Sequence, residues 1–142
     1  MKITTFSAFE TLSFGEKIAR DLLPGDLILL KGDLGAGKTT LTQGIAKGLN
    51  AKQSPTSPSF TIMQDYVFPN GIFRHIDLYR LQDSKLEIDT MGLPELLTDE
   101  KAVTAVEWPE RLHNMWERKG RIVEIVLSYG IDPQAREIEV KF

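Results

Sequence analysis

The sequence predicts an α/β fold: a mixed parallel/antiparallel sheet flanked by helices, in a single domain spanning residues 1–142. Three observations predict it. Short apolar runs of strand length alternate with segments of helical spacing. A glycine-rich turn, Gly32-Asp33-Leu34-Gly35-Ala36-Gly37-Lys38-Thr39, joins one such run directly to one such helix. Two later pairs of strand-like runs are each joined by a turn signal, which adds antiparallel hairpins to the sheet.

The elements follow in order. Lys2-Ile3-Thr4-Thr5-Phe6 reads as a short strand. Glu10 to Leu23 is amphipathic, with Leu12, Ile18, Ala19 and Leu22 apolar, and stops at Pro24-Gly25. Asp26 to Leu30 is a buried-strand run before the glycine turn, and Thr40 to Leu49 places Leu41, Ile45 and Leu49 on one helical face. Gln53 to Ser59 is a turn-rich stretch. Phe60 to Phe68 alternates as a strand, Pro69-Asn70-Gly71 turns, and Gly71 to Asp77 returns as its hairpin partner. Asp83 to Leu97 is helical but punctuated by Gly92 and Pro94. Ala102 to Val106 is a buried strand, and Pro109 to Lys119 a short helix with proline at its start. Arg121 to Tyr129 and Arg136 to Phe142 close the chain as paired strands.

The glycine-rich turn fits G-x-x-x-x-G-K-[ST] through Gly32, Gly37, Lys38 and Thr39. Four fixed positions arise by chance in a chain of this size at a rate on the order of one per cent, and here strand, loop and helix also come in the required order. The glycines let successive N–H groups turn toward an anionic phosphate. Lys38 supplies a mobile cation, the Thr39 hydroxyl can join a magnesium shell, and the following helix presents its positive end. The expectation is a P-loop NTPase-like domain.

Such a loop needs a carboxylate at the end of a neighbouring strand to help hold magnesium. Asp77 and Glu107 both end predicted strands; taken singly, each could equally be a surface acid. Ser57, Ser59 or Thr61 could present a hydroxyl from the segment between helix and strand, stiffened by Pro55 and Pro58, or that segment could be an ordinary connection. Trp108 is either a stacking surface or a core residue. His75 is expected to pack within its strand, because no second metal ligand stands at a suitable spacing. Arg74, Arg80 and Arg111 are the candidates for a cation acting in cis on the phosphates.

Composition excludes several classes. There is no cysteine, hence no disulfide or thiolate chemistry, which suits a cytoplasmic protein. No apolar run approaches membrane-spanning length, and no signal segment is read at the start. A net charge of −3 without a dense basic block argues against a surface built to grip nucleic acid. The chain carries no Asn-Lys-x-Asp segment to select guanine, and no arginine-rich lid of the kind small-molecule kinases close.

Four blocks taken together, Gly-Asp-Leu-Gly-Ala-Gly-Lys-Thr-Thr at 32–40, Ser-Pro-Ser-Phe-Thr at 57–61, His-Ile-Asp-Leu-Tyr-Arg-Leu at 75–81 and Glu-Trp-Pro at 107–109, resemble the TsaE (YjeE) family. These are small bacterial ATPases needed for threonylcarbamoyladenosine modification of tRNA. The second block departs from the family's usual Ser-Pro-Thr-Phe by Ser59, which keeps a hydroxyl. The resemblance implies that Gly32, Asp33, Leu34, Gly35, Ala36, Gly37, Lys38 and Thr39, with Thr40 behind them, hold ATP or ADP. It implies that Thr39 ligates magnesium, that Asp77 takes the Walker-B-like role, and that Glu107 serves magnesium binding or hydrolysis beside the catalytic Lys38. Trp108 is placed beside the nucleotide, Thr11 near the adenine, and Arg136 near the nucleotide. The implied partners are the TsaD and TsaB subunits, with tRNA met only indirectly and no membrane. Hydrolysis in isolation is then expected to be weak. Two readings compete with this one: a small-molecule kinase using the same loop, and a nucleotide-sensing module without relevant hydrolysis.

Overall fold

Among the described residues, seven strands hydrogen-bond into one sheet whose order along the edge-to-edge direction reverses around the strand that precedes the glycine loop. The computed structural model describes residues 1–53, 63–79, 92–112 and 120–142. Its elements are β1 (Lys2–Thr5), α1 (Ala8–Ala19), β2 (Leu27–Lys31), α2 (Lys38–Gly48), β3 (Met63–Phe68), β4 (Gly71–Asp77), α3 (Leu93–Leu97), β5 (Ala102–Glu107), a 3₁₀ turn (Pro109–Leu112), β6 (Ile122–Tyr129) and β7 (Arg136–Lys141). The sheet order is β1-β7-β6-β2-β5-β4-β3. Strands β6, β2, β5 and β4 run parallel, and antiparallel hairpin partners flank them on both sides.

The central strands are apolar for a physical reason. β2 (Leu-Ile-Leu-Leu-Lys) and β5 (Ala-Val-Thr-Ala-Val-Glu) are covered on both faces, so neither can alternate with polar residues. Ile28, Leu30, Val103, Ala105 and Phe73 join the cluster that includes Phe14, Ile18, Leu41 and Ile45 of α1 and α2. Leu27, Leu29, Ile76 and Val106 join Leu93, Leu97 and Leu112 on the opposite face. Because successive strand residues point to opposite faces, His75 and Asp77 share the face of Phe73, and Glu107 shares that of Val103 and Ala105. All three acid or imidazole groups therefore face the layer that holds α2.

Several boundaries differ from expectation. Helix α1 starts at Ala8 rather than Glu10, because Ser7 Oγ accepts from Glu10 N (3.1 Å) while the Glu10 carboxylate accepts from Phe6 N (2.7 Å). It ends at Ala19 rather than Leu23. Helix α2 starts at Lys38, two residues early, and the 3₁₀ turn covers only Pro109–Leu112 of the predicted 109–119 helix. The expected Ser57, Ser59 and Thr61 hydroxyls, Arg80, and the helices expected over 83–91 and 113–119 lie outside the described residues.

Candidate functional site

The parallel register brings the chemistry to one edge of the sheet. Leu30 of β2 pairs with Glu107 of β5, and Asp77 of β4 pairs with the same Glu107. The C-terminal ends of three adjacent strands thus lie side by side, and the glycine loop leaves from the first of them. Ligand sites in open α/β sheets form in this crevice.

The loop itself is set by glycine. Gly35 and Gly37 have φ of +78° and +103°, in the left-handed region that side-chain-bearing residues avoid. Gly37 ends the loop as the N-cap of α2 with no side-chain cap, so the first backbone N–H groups of that helix are left to another acceptor. Asp33, Leu34 and Gly35 form the exposed tip, Ala36 is buried beneath it, and Thr39 and Thr40 are half-buried in the first turn of α2. Two residues from the far hairpin strap the tip. The Tyr129 hydroxyl donates to Leu34 O (2.8 Å), and the Arg136 guanidinium donates to Gly35 O (3.3 Å) while lying 4.6 Å over the Tyr129 ring.

Lys38 is 6% exposed and curls back under the loop. Its ammonium donates to Gly32 O, stands 4.0 Å from Glu107 Oε1, and lies 4.2 Å from the centre of the Trp108 ring. Glu107 is buried, and its other oxygen, Oε2, is 2.5 Å from His75 Nε2. Asp77 is half-buried and accepts from Tyr79 N (3.0 Å). Burial foremost, then the negative charge of Glu107, pushes the Asp77 carboxyl above the usual aspartate range, against the opposing pull of the Tyr79 N–H. Trp108 is half-buried at φ +59°, with the Tyr79 ring 5.1 Å away.

Of the residues singled out in the sequence, Lys38, Glu107 and Trp108 are in mutual contact, with Asp77 in register beside Glu107. Arg136 reaches the loop through a backbone carbonyl. Thr11 is 2% exposed, and its hydroxyl shares a 2.6 Å hydrogen bond with that of Thr5. A Cβ on Gly37 would be 3.8 Å from Thr11 Cγ2, so Thr11 backs the loop through its methyl group. Arg74 is corrected as a cis cation. It lies on the opposite sheet face, where Nε and Nη2 hold Asp65 (2.9 and 3.1 Å) and Nη1 holds Asp99 (2.9 Å). Arg111 lies in the 3₁₀ turn after Trp108. Sequence reasoning missed Tyr79, Tyr129 and the contact of His75 with Glu107. The i, i+2 spacing of His75 and Asp77 puts them on one face of β4, but the contact with Glu107 depends on the pairing of β4 with β5.

Among the described residues no group of three or more His, Asp or Glu is arranged to hold a metal ion by itself, and no helix is long and apolar enough to cross a membrane. Thr39, Asp77 and Glu107 offer hard oxygen donors of the kind magnesium takes, and a phosphate-bound magnesium draws its remaining ligands from phosphate and water. The donor set fits.

A lysine and two strand-end acids beneath a loop shaped to enclose phosphate place the chain among P-loop proteins of the ATPase-like class. Comparison with known proteins narrows this further. A family model described as threonylcarbamoyl adenosine biosynthesis protein TsaE matches residues 5–138, and the chain belongs to that family. It is 40% identical over 140 residues to the Bacillus subtilis protein named tRNA threonylcarbamoyladenosine biosynthesis protein TsaE, covering 97% of this chain and 83% of that one. A Nostoc protein of the same name is 38% identical over 135 residues, covering 92% and 78% of the two chains. The Haemophilus influenzae one is 36% identical over 139 residues, covering 93% and 83%. The crystal structure of Bacillus subtilis YdiB superposes with a TM-score of 0.75 at 33% identity, covering 97% of this chain and 82% of that one.

Proposed function

We propose that this chain binds ATP with magnesium at residues 32–40 and hydrolyses it slowly on its own, in the service of threonylcarbamoyladenosine modification of tRNA. The observation that carries the reading is the Lys38 ammonium held between Gly32 O, Glu107 and the Trp108 ring at the mouth of α2. A phosphate entering the loop meets the uncapped N–H groups of α2 and a cation already at the right depth. Lys38 then exchanges Gly32 O for the outer phosphates. Thr39 and Asp77, with Glu107 alongside, would hold magnesium, which when bound neutralises phosphate charge. In this reading Glu107 orients the attacking water, Trp108 and Arg136 border the nucleotide, and Thr11 supports the loop from behind, near the adenine end.

The names of the relatives support the pathway. The net charge of −3 supports indirect contact with tRNA, through the TsaD and TsaB subunits rather than through a basic face of this chain. Their arrival would raise a slow rate, because a phosphate loop binds ATP well but turns it over poorly until water and transition-state charge are positioned.

The test measures ATP hydrolysis by the chain alone and with the TsaD–TsaB pair added, beside ATP affinity by calorimetry for wild type and Lys38→Ala. A partner-dependent rise, with affinity lost by at least ~100-fold in Lys38→Ala and an unchanged circular dichroism spectrum, is the expected result. Unaltered affinity would refute the loop assignment. Turnover with a soluble acceptor and no partner would make the protein a kinase. Normal partner function without hydrolysis would make it a sensor.

A further inference from the structure

We infer that His75 is a positioning residue for Glu107, holding that carboxylate with one oxygen turned to the phosphate end of the site. The inference rests on the reading of the site as hydrolytic. His75 is fully buried, and Glu107 is 4% exposed. The two oxygens of Glu107 are divided between two partners: Oε2 lies 2.5 Å from His75 Nε2, and Oε1 faces Lys38 Nζ at 4.0 Å. Strand register brings this about. His75 pairs with Ala105 and Asp77 with Glu107, so His75 sits diagonally behind Glu107 on the same face.

The tautomer follows from what the ring lacks. Among the described residues, His75 Nδ1 is buried with no hydrogen-bond partner. A proton there would be a buried donor without an acceptor. A bare Nε2 would set its lone pair against the carboxylate. The ring therefore carries its proton on Nε2 and donates it to Glu107. One pleat upstream, Phe73 fills the core on the same face, so packing alone does not call for a polar ring at 75. An apolar residue there would leave Glu107 Oε2 buried and unpaired, free to turn toward Lys38 and abandon the orientation in which only Oε1 faces the lysine. The same logic makes the outer partner of a functional carboxylate worth 10–100-fold in other sites.

The test compares wild type, His75→Ala and His75→Gln as full-length chains, by single-turnover ATP hydrolysis and by ATP affinity. The Gln amide reaches about as far as Nε2 and can donate in its place. Alanine is expected to slow hydrolysis by at least ~10-fold while affinity stays within ~3-fold, and glutamine to recover most of the loss. An unchanged rate in His75→Ala, a loss of affinity as large as the loss of rate, or a glutamine variant as impaired as alanine would overturn the inference. If His75→Ala does not fold, nitrogen NMR of the wild-type ring decides: a proton on Nε2 is expected, and a bare Nε2 would overturn the inference. Wild-type turnover no higher than that of Lys38→Ala would refute the hydrolytic reading and this inference together. Clear wild-type turnover with an indifferent His75→Ala would refute the inference alone.

Discussion

Gly44→Ala tests by its sign how α1 and α2 meet. Gly44 lies inside α2, where alanine is favoured over glycine by about 1 kcal/mol, so helix propensity alone expects a more stable protein. Packing expects the reverse. A Cβ on Gly44 would overlap the Leu12 carbonyl oxygen and lie 2.9 Å from Leu12 C and 3.1 Å from Gly15 Cα. These are backbone atoms of α1, which cannot swing aside as a side-chain end does. Relief requires the helices to part by about 1 Å, and a gap of that size forfeits up to half the dispersion energy of the atoms lining it. Phe14, Ile18, Leu41 and Ile45 are buried in the cluster beneath that contact. Overpacking costs about 1–3 kcal/mol, and a backbone obstacle belongs at the upper end. After the propensity gain, the net loss is ~2 kcal/mol, equivalent to roughly 6–8 °C in melting temperature or ~1 M in the urea midpoint. Urea unfolding followed by circular dichroism, with the slope unchanged, is the assay. An equal or higher midpoint would show that the two backbones do not touch there and would refute the reasoning.

Two further predictions concern charge. Asp77→Asn should abolish hydrolysis yet raise thermal stability at neutral pH. The wild-type carboxyl sits above the usual value of 3.8 because of burial and Glu107, so the folded state holds its proton more tightly than the unfolded chain. Stability therefore falls as pH rises from that value through the folded one, and the amide removes this falling limb; a lower neutral-pH melting temperature in the variant would count against it. Arg74→Met should cost about 2 kcal/mol, less than a fully buried pair because Asp65 and Asp99 are 36% and 29% exposed and regain water. The Lys101 backbone N–H foremost, with help from Arg74, holds the Asp99 carboxyl below its usual range. Its contribution is thus present above about pH 3.8 and lost as pH falls below. The variant's acid-side loss should be shallower than wild type; parallel curves would remove Arg74 from the account.

What was legible in the sequence was whatever local physics dictates. The loop was legible because phosphate binding needs glycines and a lysine at fixed offsets, and β2 and β5 because a doubly covered strand must be apolar throughout. The Ser7–Glu10 cap fits Ser-x-x-Glu but was not read, because the apolar spacing from Leu12 onward put the helix start at Glu10. Arg74 could not be placed by composition: only the alternation of β4, once its face is known, sends it away from Asp77 toward Asp65 and Asp99. The strap of Tyr129 and Arg136 joins residues 95 and 101 positions from the carbonyls they hold. No local pattern carries a contact of that separation; it follows from the β6–β7 hairpin standing beside β2 in the sheet.

The geometry around Trp108 joins these strands of argument. A tryptophan at φ +59° is held in a conformation that costs on the order of 1–3 kcal/mol. Pro109 disfavours the ordinary right-handed helical conformation for the residue before it, so β5 cannot pass smoothly into the 3₁₀ turn. The chain turns through Trp108 instead, and the ring lands between Tyr79 at 5.1 Å and the Lys38 ammonium at 4.2 Å. The strain persists because contacts on both sides fix the ring. Glu107 is the preceding residue, so the same turn that strains Trp108 also sets the direction of the Glu107 backbone, while His75 fixes its side chain. Lys38 meets both residues at once. One ammonium at the base of the loop thus touches both the acid that ends β5, at 4.0 Å, and the tryptophan ring that follows it, at 4.2 Å, so the loop and the end of β5 are joined through a single side chain.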